Sequence, residues 1–210
     1  VHSPQEKLLE TAALITFAAE HLHSYTGLLA FDGSIARVFQ LRRGREPCLH
    51  ILNALEQITV SGRKNKGTSL VPALEAAAKL LRQRALVIIL SDFKVENFEK
   101  ELGLLARRHD VAAVRITAPY DEALPAAGIV RFTDPETGLE RLLPTNSHRF
   151  QQDRIRRAAE ETQLWENTCI RCGAYPLVLP YDSNTVKLLN QFFLPNQFYL
   201  TKLSPFYHFL

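Results

Sequence analysis

A serine-aspartate pair follows the most apolar stretch of the chain. Residues 85–90 are apolar and rich in β-branched types, and they run directly into Ser91 and Asp92. A run of this length and composition is typical of a strand buried on both faces, at the centre of a parallel sheet. Ligands of open α/β sheets bind outside the carboxyl ends of the strands. Ser91 and Asp92 are therefore the first candidate binding site.

A second polar stretch precedes the helix that leads into this strand. The loop over residues 61–69 ends in Gly67, Thr68 and Ser69, and helical spacing begins at residue 70. Thr68 could cap that helix, and Asp92 could cap the helix predicted over residues 96–109, since both residue types commonly do so. Ser91 could simply hydrogen-bond its own loop. The residues alone leave capping and ligand binding open.

Other kinds of chemistry lack the residues they need. The sequence has no Ser-His-Asp set, no phosphate-binding GxxxxGK[ST] and no pair of carboxylates in one predicted cleft. We therefore predict no catalytic residues. Cys169 and Cys172 form a CxxC without a second Cys pair or a nearby His pair, so we interpret them as structural or incidental. His21, His23, His50 and His109 have no ligand spacing, and we expect them at the surface or at helix ends.

Composition limits the class of protein. The chain has 210 residues, 46% hydrophobic and 22% charged, which suits one globular domain. The net charge of +3 is too small to indicate nucleic-acid binding. An odd, low number of cysteines suits a reducing compartment, and no signal peptide or run of 18 apolar residues occurs, so we expect a cytoplasmic protein. The sequence contains no Met, so we expect the numbered chain to be a fragment.

Helical and strand patterns alternate along most of the chain. This order predicts an α/β fold with a doubly wound, mostly parallel sheet and helices on both faces. We expect one domain over residues 1–193 and an aromatic-rich tail over residues 194–210, without membrane contact. The chain opens on a helix capped by Ser3, whereas such folds normally open on a strand, so we expect a first strand upstream. The predicted helices cover residues 4–22, 47–58, 70–84, 96–109, 147–172 and 183–193, and the predicted strands cover 25–31, 34–41, 85–90, 111–116, 129–132, 139–143 and 175–179. The strands over 25–31 and 34–41 can pair antiparallel across Asp32-Gly33, and those over 129–132 and 139–143 are predicted to form a second hairpin. Leu49 is expected to face inward.

The order of motifs resembles that of a known bacterial family. The sequence that carries the resemblance is Gly67-Thr68, Ser91-Asp92-Phe93, Arg107-Arg108-His109-Asp110, the strand over 111–116, Glu122-Ala123-Leu124-Pro125-Ala126-Ala127-Gly128 and Phe132-Thr133-Asp134-Pro135-Glu136-Thr137-Gly138. This pattern is similar to the family called domain of unknown function fifty-eight, a branch of the von Willebrand factor A-like domains. The resemblance covers about residues 5 to 193.

The resemblance implies a divalent-metal site, usually for magnesium, at the carboxyl end of the sheet. In the family pattern a Thr matches Thr68 and an Asp matches Asp92, with Gly67, Ser69 and Ser91 in supporting positions. The third part of the pattern, Asp-x-Ser-x-Ser, does not occur before the first helix, and Ser3 lies too close to that helix to replace it. Because one carboxylate and one hydroxyl hold magnesium poorly, we expect metal binding to require the upstream strand.

The resemblance also implies a function. Domains of this type bind a protein partner through the metal and have no chemistry of their own, and the partner class for this family is an AAA+ ATPase of MoxR type. The alternative is a magnesium-dependent hydrolase or phosphotransferase that uses Asp92, but the sequence offers no clear base or nucleophile for it. A nucleotide-binding domain is disfavoured because no Gly-rich first turn occurs.

Overall fold

The computed structural model describes residues 3–31, 35–60, 69–118, 128–133 and 140–194. These residues form six helices and seven strands, with helical and strand segments interspersed along the chain. The elements are α1 (Pro4–His21), β1 (Thr26–Phe31), β2 (Ile35–Arg42), α2 (Arg45–Val60), α3 (Val71–Leu80), β3 (Leu86–Ser91), α4 (Glu99–Ala106), β4 (Asp110–Thr117), β5 (Ile129–Thr133), β6 (Glu140–Pro144), α5 (His148–Cys172), β7 (Tyr175–Pro180) and α6 (Thr185–Phe193).

Local signals fix several helix ends where the sequence predicts them. At the start of α1 the Ser3 hydroxyl accepts from the Glu6 N–H, and the Glu6 carboxylate accepts from the Ser3 N–H, which makes a capping box. Gly173 adopts φ 83° and ends α5, a conformation that favours glycine. Helices α3 and α4 are shorter than predicted. Leu49, predicted to face inward, is 46% exposed, so that prediction is wrong. Leu80, which lies at the apolar spacing of its helix, is 49% exposed.

Three strands form a parallel sheet in the order β3-β4-β7. Every residue of β4 is buried, so β4 is the central strand of this sheet. In β3 only Ile89 and Ser91 are buried. The prediction that the apolar run stands at the centre of the sheet is wrong for the described residues, because β3 pairs there only with β4. The fold is a mixed α/β arrangement with a parallel sheet.

The outer edge of β7 is blocked by proline. The Tyr181 N–H donates to the Thr117 carbonyl at 3.0 Å, so the odd-numbered residues of β7 direct their backbone groups toward β4. The even-numbered positions face away, and two of them are Pro176 and Pro180, which have no N–H to offer. Proline at these positions is a common protection of an edge strand against pairing with another chain.

The outer edge of β3 has no such protection. The Asp110 N–H donates to the Ala85 carbonyl at 3.0 Å, so the backbone groups of Leu86, Ile88 and Leu90 point away from β4. Among the described residues no backbone hydrogen bond reaches these three. The strand contains no Pro and no charged residue. A flat apolar edge of this kind is a template for another strand.

The β1–β2 hairpin lies in the same layer as β3. The two strands pair antiparallel, as predicted, while the turn residues Asp32 and Gly33 lie outside the described residues. On one face of the layer, Leu29 of β1 packs into the cluster that contains Ile89 of β3. On the other face, Leu28 of β1 packs into the cluster that contains Leu90. Both strands thus share the same two helix layers, yet no hydrogen bond joins them within the described part of the chain.

Helices cover both faces of this layer. The larger cluster joins the sheet to α3, α4 and α5, and it includes Leu102, Leu105 and Trp165. Smaller clusters join the opposite face to α1, α2 and α6. The second hairpin, β5–β6, pairs antiparallel as predicted, although the residues 134–139 that connect its strands lie outside the described part.

The free edge of β3 predicts an alternating pattern of amide hydrogen exchange. Amides of Val87 and Ile89 are hydrogen-bonded to β4 and should exchange slowly, whereas those of Ile88 and Leu90 should exchange at least about tenfold faster. The measurement is residue-resolved exchange by NMR on the chain of residues 1–210. Equal protection of both sets would mean that another strand already pairs with β3.

Candidate functional site

Ser91 and Asp92 lie where β3 ends, at the carboxyl edge of the sheet. Ser91 is buried, and its Oγ accepts a hydrogen bond from the Phe93 N–H at 3.1 Å. Asp92 is exposed, and its Oδ1 accepts from the Lys94 N–H at 3.3 Å. These bonds hold a tight turn, which turns the carboxylate of Asp92 toward solvent. The turn after β3 therefore presents an accessible acidic group at the carboxyl edge.

Asp92 does not cap the next helix. Helix α4 begins at Glu99, three residues later than predicted, and the residue at its N-cap position, Phe98, makes no side-chain capping bond. The interpretation of Asp92 as a helix cap is therefore wrong. Its carboxylate contacts only the backbone of its own turn among the described residues.

The loop after Asp92 is fixed by aromatic packing. Phe93 adopts φ 52°, which is uncommon for a residue with a bulky side chain. Its ring is buried, with its centroid 5.1 Å from the Trp165 ring and 5.8 Å from the Phe98 ring. This packing and the bond to Ser91 hold the unusual backbone conformation. The position of Asp92 is thus set by the core beneath it.

The structure covers only part of the predicted threonine loop. Gly67 and Thr68 lie outside the described residues, so the capping and metal roles of Thr68 stay predictions. Ser69 is exposed, and α3 begins after Leu70, which makes no side-chain capping bond. No hydrogen bond joins Ser69 to Ser91 or Asp92 in the described ranges.

The described residues match a hard cation in donor type but fall short in number. Magnesium requires about six oxygen ligands, commonly one or two carboxylates with waters. Asp92 offers one free carboxylate, while the Ser91 hydroxyl is buried in its turn. The described part of the chain contains no group of three or more His, Cys, Asp or Glu that could hold a metal ion. A metal site here needs ligands in addition to these residues.

Arg115 was missed by the sequence reasoning, although it lies beside the predicted site. It pairs in register with Ser91 on the neighbouring strand, so the two side chains project from the same face of the sheet. Arg115 is 9% exposed, and its guanidinium carbon lies 5.7 Å from the centre of the Trp165 ring. The signal was a single charged residue inside the apolar strand Val111 to Ile116.

Cys169 and His109 are buried, and Cys172 is partly buried. Cys169 is buried, and burial raises the pKa of its thiol to about 12, while burial also raises the pKa of Cys172. A raised pKa disfavours the thiolate, which is the reactive form of cysteine. His109 follows α4 as expected but is buried, and desolvation together with the nearby Arg108 and Arg84 lowers its pKa.

The fold and this edge define an α/β domain with a polar carboxyl edge, and comparison with known proteins places it in a family. Residues 2–164 match the family described as Protein of unknown function DUF58. The chain therefore belongs to this family, as its resemblance predicts. None of the described helices is both long enough and apolar enough to cross a bilayer.

Relatives of this chain include uncharacterized mycobacterial proteins. An uncharacterized protein of Mycobacterium avium is 32% identical over 118 residues, which are 56% of this chain and 69% of the relative. The uncharacterized protein Rv1480 of Mycobacterium tuberculosis is 29% identical over 172 residues, which are 81% of this chain and 54% of the relative. The chain thus spans about half the length of the Mycobacterium tuberculosis protein.

Two solved structures share the fold. The conserved hypothetical protein BatB from Bacteroides thetaiotaomicron has a TM-score of 0.52 at 17% identity, over 87% of this chain and 85% of its own. An aerotolerance-related membrane protein from Bacteroides fragilis has a TM-score of 0.52 at 18% identity, over 90% of this chain and 87% of its own. At this level of identity the similarity is one of fold.

Proposed function

We propose that this domain is a non-catalytic protein-interaction module of the von Willebrand factor A-like type. It binds a protein partner at the carboxyl edge of its sheet with the help of a divalent cation, and magnesium is the expected ion. The observation that carries the proposal is the exposed carboxylate of Asp92, which is held by its own turn at this edge and caps no helix. An oxygen ligand in this position suits a hard cation.

The remaining metal ligands come from two places. Thr68 supplies a hydroxyl, and an additional strand supplies the Asp-x-Ser-x-Ser loop. The free edge of β3 and the placement of β1 in the same layer support a strand between them. Because a strand parallel to β3 ends at the same edge of the sheet, its following loop would lie beside Asp92.

The absence of a partner for chemistry at Asp92 favours binding over catalysis. A hydrolase needs a base or nucleophile within about 3 Å of the reacting atom. Among the described residues no His, Cys or second acidic side chain hydrogen-bonds or pairs with Asp92. The carboxylate can hold an ion or contact a partner, but no described residue gives it a proton relay. The proposed partner is of the class that the resemblance implies, an AAA+ ATPase of MoxR type, and we expect the interaction in the cytoplasm, without nucleic acid.

A pull-down tests this function. The full-length product of the gene, immobilised and incubated with a purified MoxR-type ATPase, should retain the ATPase in magnesium and release it in EDTA. The control is the same immobilised protein with Asp182→Asn. Asp182 is an exposed acidic residue after β7, and it has no proposed role as a metal ligand. Equal retention of the ATPase in magnesium and in EDTA would contradict a role for the metal. Hydrolysis of a phosphoester that disappears in Asp92→Ala would favour the enzyme instead.

A further inference from the structure

Two buried hydrogen-bond donors lie together without an acceptor at the carboxyl half of the sheet. Within the described part of the chain, neither the Arg115 Nε nor the Trp165 Nε1 has a hydrogen-bond partner. The two side chains are in contact, with the guanidinium carbon over the indole ring at 5.7 Å. Arg115 is 9% exposed and Trp165 is 6% exposed. Buried donors of native proteins normally have an acceptor. This pair is an exception among the described residues, because neither donor has one.

The missing acceptor should be negatively charged. A buried cation is costly unless an anion compensates it, and the face of an indole ring compensates only in part. Lys7, another buried cation among the described residues, shows the usual solution, because it is 4% exposed and pairs with Glu10 at 3.2 Å. Arg115 has no acidic partner within 4 Å among the described residues.

The position of Arg115 indicates where that anion comes from. Its register partner Ser91 immediately precedes Asp92, so Arg115 lies in the last part of β4, next to the proposed partner-binding edge. A guanidinium forms two parallel bonds with a carboxylate, and one positive charge matches one carboxylate.

We propose that Arg115 and Trp165 form a receptor for a carboxylate, which an acidic side chain of the protein partner supplies. This proposal rests on the proposed function, because it adds a second contact at the same edge. It differs from the metal site in that its ligand binds directly to the guanidinium and requires no cation. The receptor would bind one acidic residue of the partner, next to the partner residue that coordinates the metal.

The only tryptophan of the chain gives a direct test. Sodium acetate is titrated into the chain of residues 1–210 in EDTA, with sodium chloride added to constant ionic strength, and the Trp165 fluorescence is recorded. We expect a saturating change with acetate that is absent with sodium chloride alone. Arg115→Gln should bind acetate at least about tenfold more weakly, since it loses a charge-assisted pair. Arg107 is an exposed arginine at the end of α4, so Arg107→Gln should bind acetate as the unchanged chain does.

The proposal has clear contrary results. No fluorescence change with acetate, or the same change in Arg115→Gln, would overturn it. Tighter binding of inorganic phosphate than of acetate would overturn the carboxylate as the ligand class. If Arg115→Gln does not fold, the Arg115 Nε–H resonance in the NMR spectrum of the unchanged chain must shift with acetate, and a resonance that stays fixed rejects the receptor. Because no magnesium or partner is present, failure here leaves the proposed function standing.

Discussion

Replacing Leu102 by Ala should lower the free energy of unfolding by about 2–5 kcal/mol. Leu102 has no exposed surface, and it lies in the cluster where α4 packs against the sheet and α5. Removing its side chain leaves a cavity that the surrounding helices and strands cannot close fully. The measurement is urea unfolding followed by far-UV circular dichroism, with the midpoint and slope fitted together.

Leu104→Ala is the matched control for this prediction. It is the same substitution in the same helix, so the change in helix propensity is equal, but Leu104 is 50% exposed. We expect it to change the free energy of unfolding by less than about 1 kcal/mol. Equal losses in the two variants would contradict the burial of α4, and with it the core that fixes Phe93 and the Asp92 turn.

The elements that the sequence predicts best depend on local signals. The capping box of Ser3 and Glu6 sets the start of α1, and Gly173 ends α5, because each needs only residues within one turn. The antiparallel hairpin of β1 and β2 follows from two apolar runs that a short turn joins. The family follows from the order of such local motifs along the chain.

The position of β3 in the sheet was not predictable from its own residues. An apolar run predicts burial, but the number of neighbouring strands depends on pairing with residues far along the chain. In the described part β3 pairs only with β4, so the same apolar run lies at an edge. Likewise Leu49 and Leu80 fit a helical apolar face, but that face is wider than the surface it packs against.

The site shows the same division between local and distant information. Ser91 and Asp92 could be placed at the end of a strand from sequence, and the structure leaves them there. The role of Asp92 as a cap depended on where α4 begins, and the loop before Glu99 is longer than its residues indicated. Arg115 was visible as a charge in an apolar strand, but its contact with Trp165, which lies fifty residues later, was not.

Asp92→Asn should remove magnesium-dependent partner binding and leave stability unchanged. The carboxylate is exposed, and an Asn oxygen can still accept the hydrogen bond from the Lys94 N–H, so the free energy of unfolding should change by less than about 0.5 kcal/mol. The substitution removes a charged oxygen ligand. Because loss of an outer-shell contact already costs about 10–100-fold in metal affinity, loss of a direct ligand should cost at least that much.

The effect of Asp92→Asn depends on whether the rest of the proposed metal site is present. In the chain of residues 1–210 we expect Asp92→Asn to change little, because the proposed metal site also needs the Asp-x-Ser-x-Ser loop. In the full-length gene product Asp92→Asn should abolish magnesium-dependent partner binding. Asp182→Asn controls for the loss of one exposed negative charge after a strand of the same sheet, and it should bind the partner as the unchanged protein does.

The most direct measurement is the affinity of the MoxR-type ATPase for the full-length protein, by calorimetry in magnesium and in EDTA. We predict that the unchanged protein and Asp182→Asn bind in magnesium and not in EDTA, and that Asp92→Asn binds in neither, while thermal unfolding of all three is the same. Equal affinity of Asp92→Asn and the unchanged protein in magnesium would contradict the metal-dependent interface and leave Asp92 with a role only in its own turn.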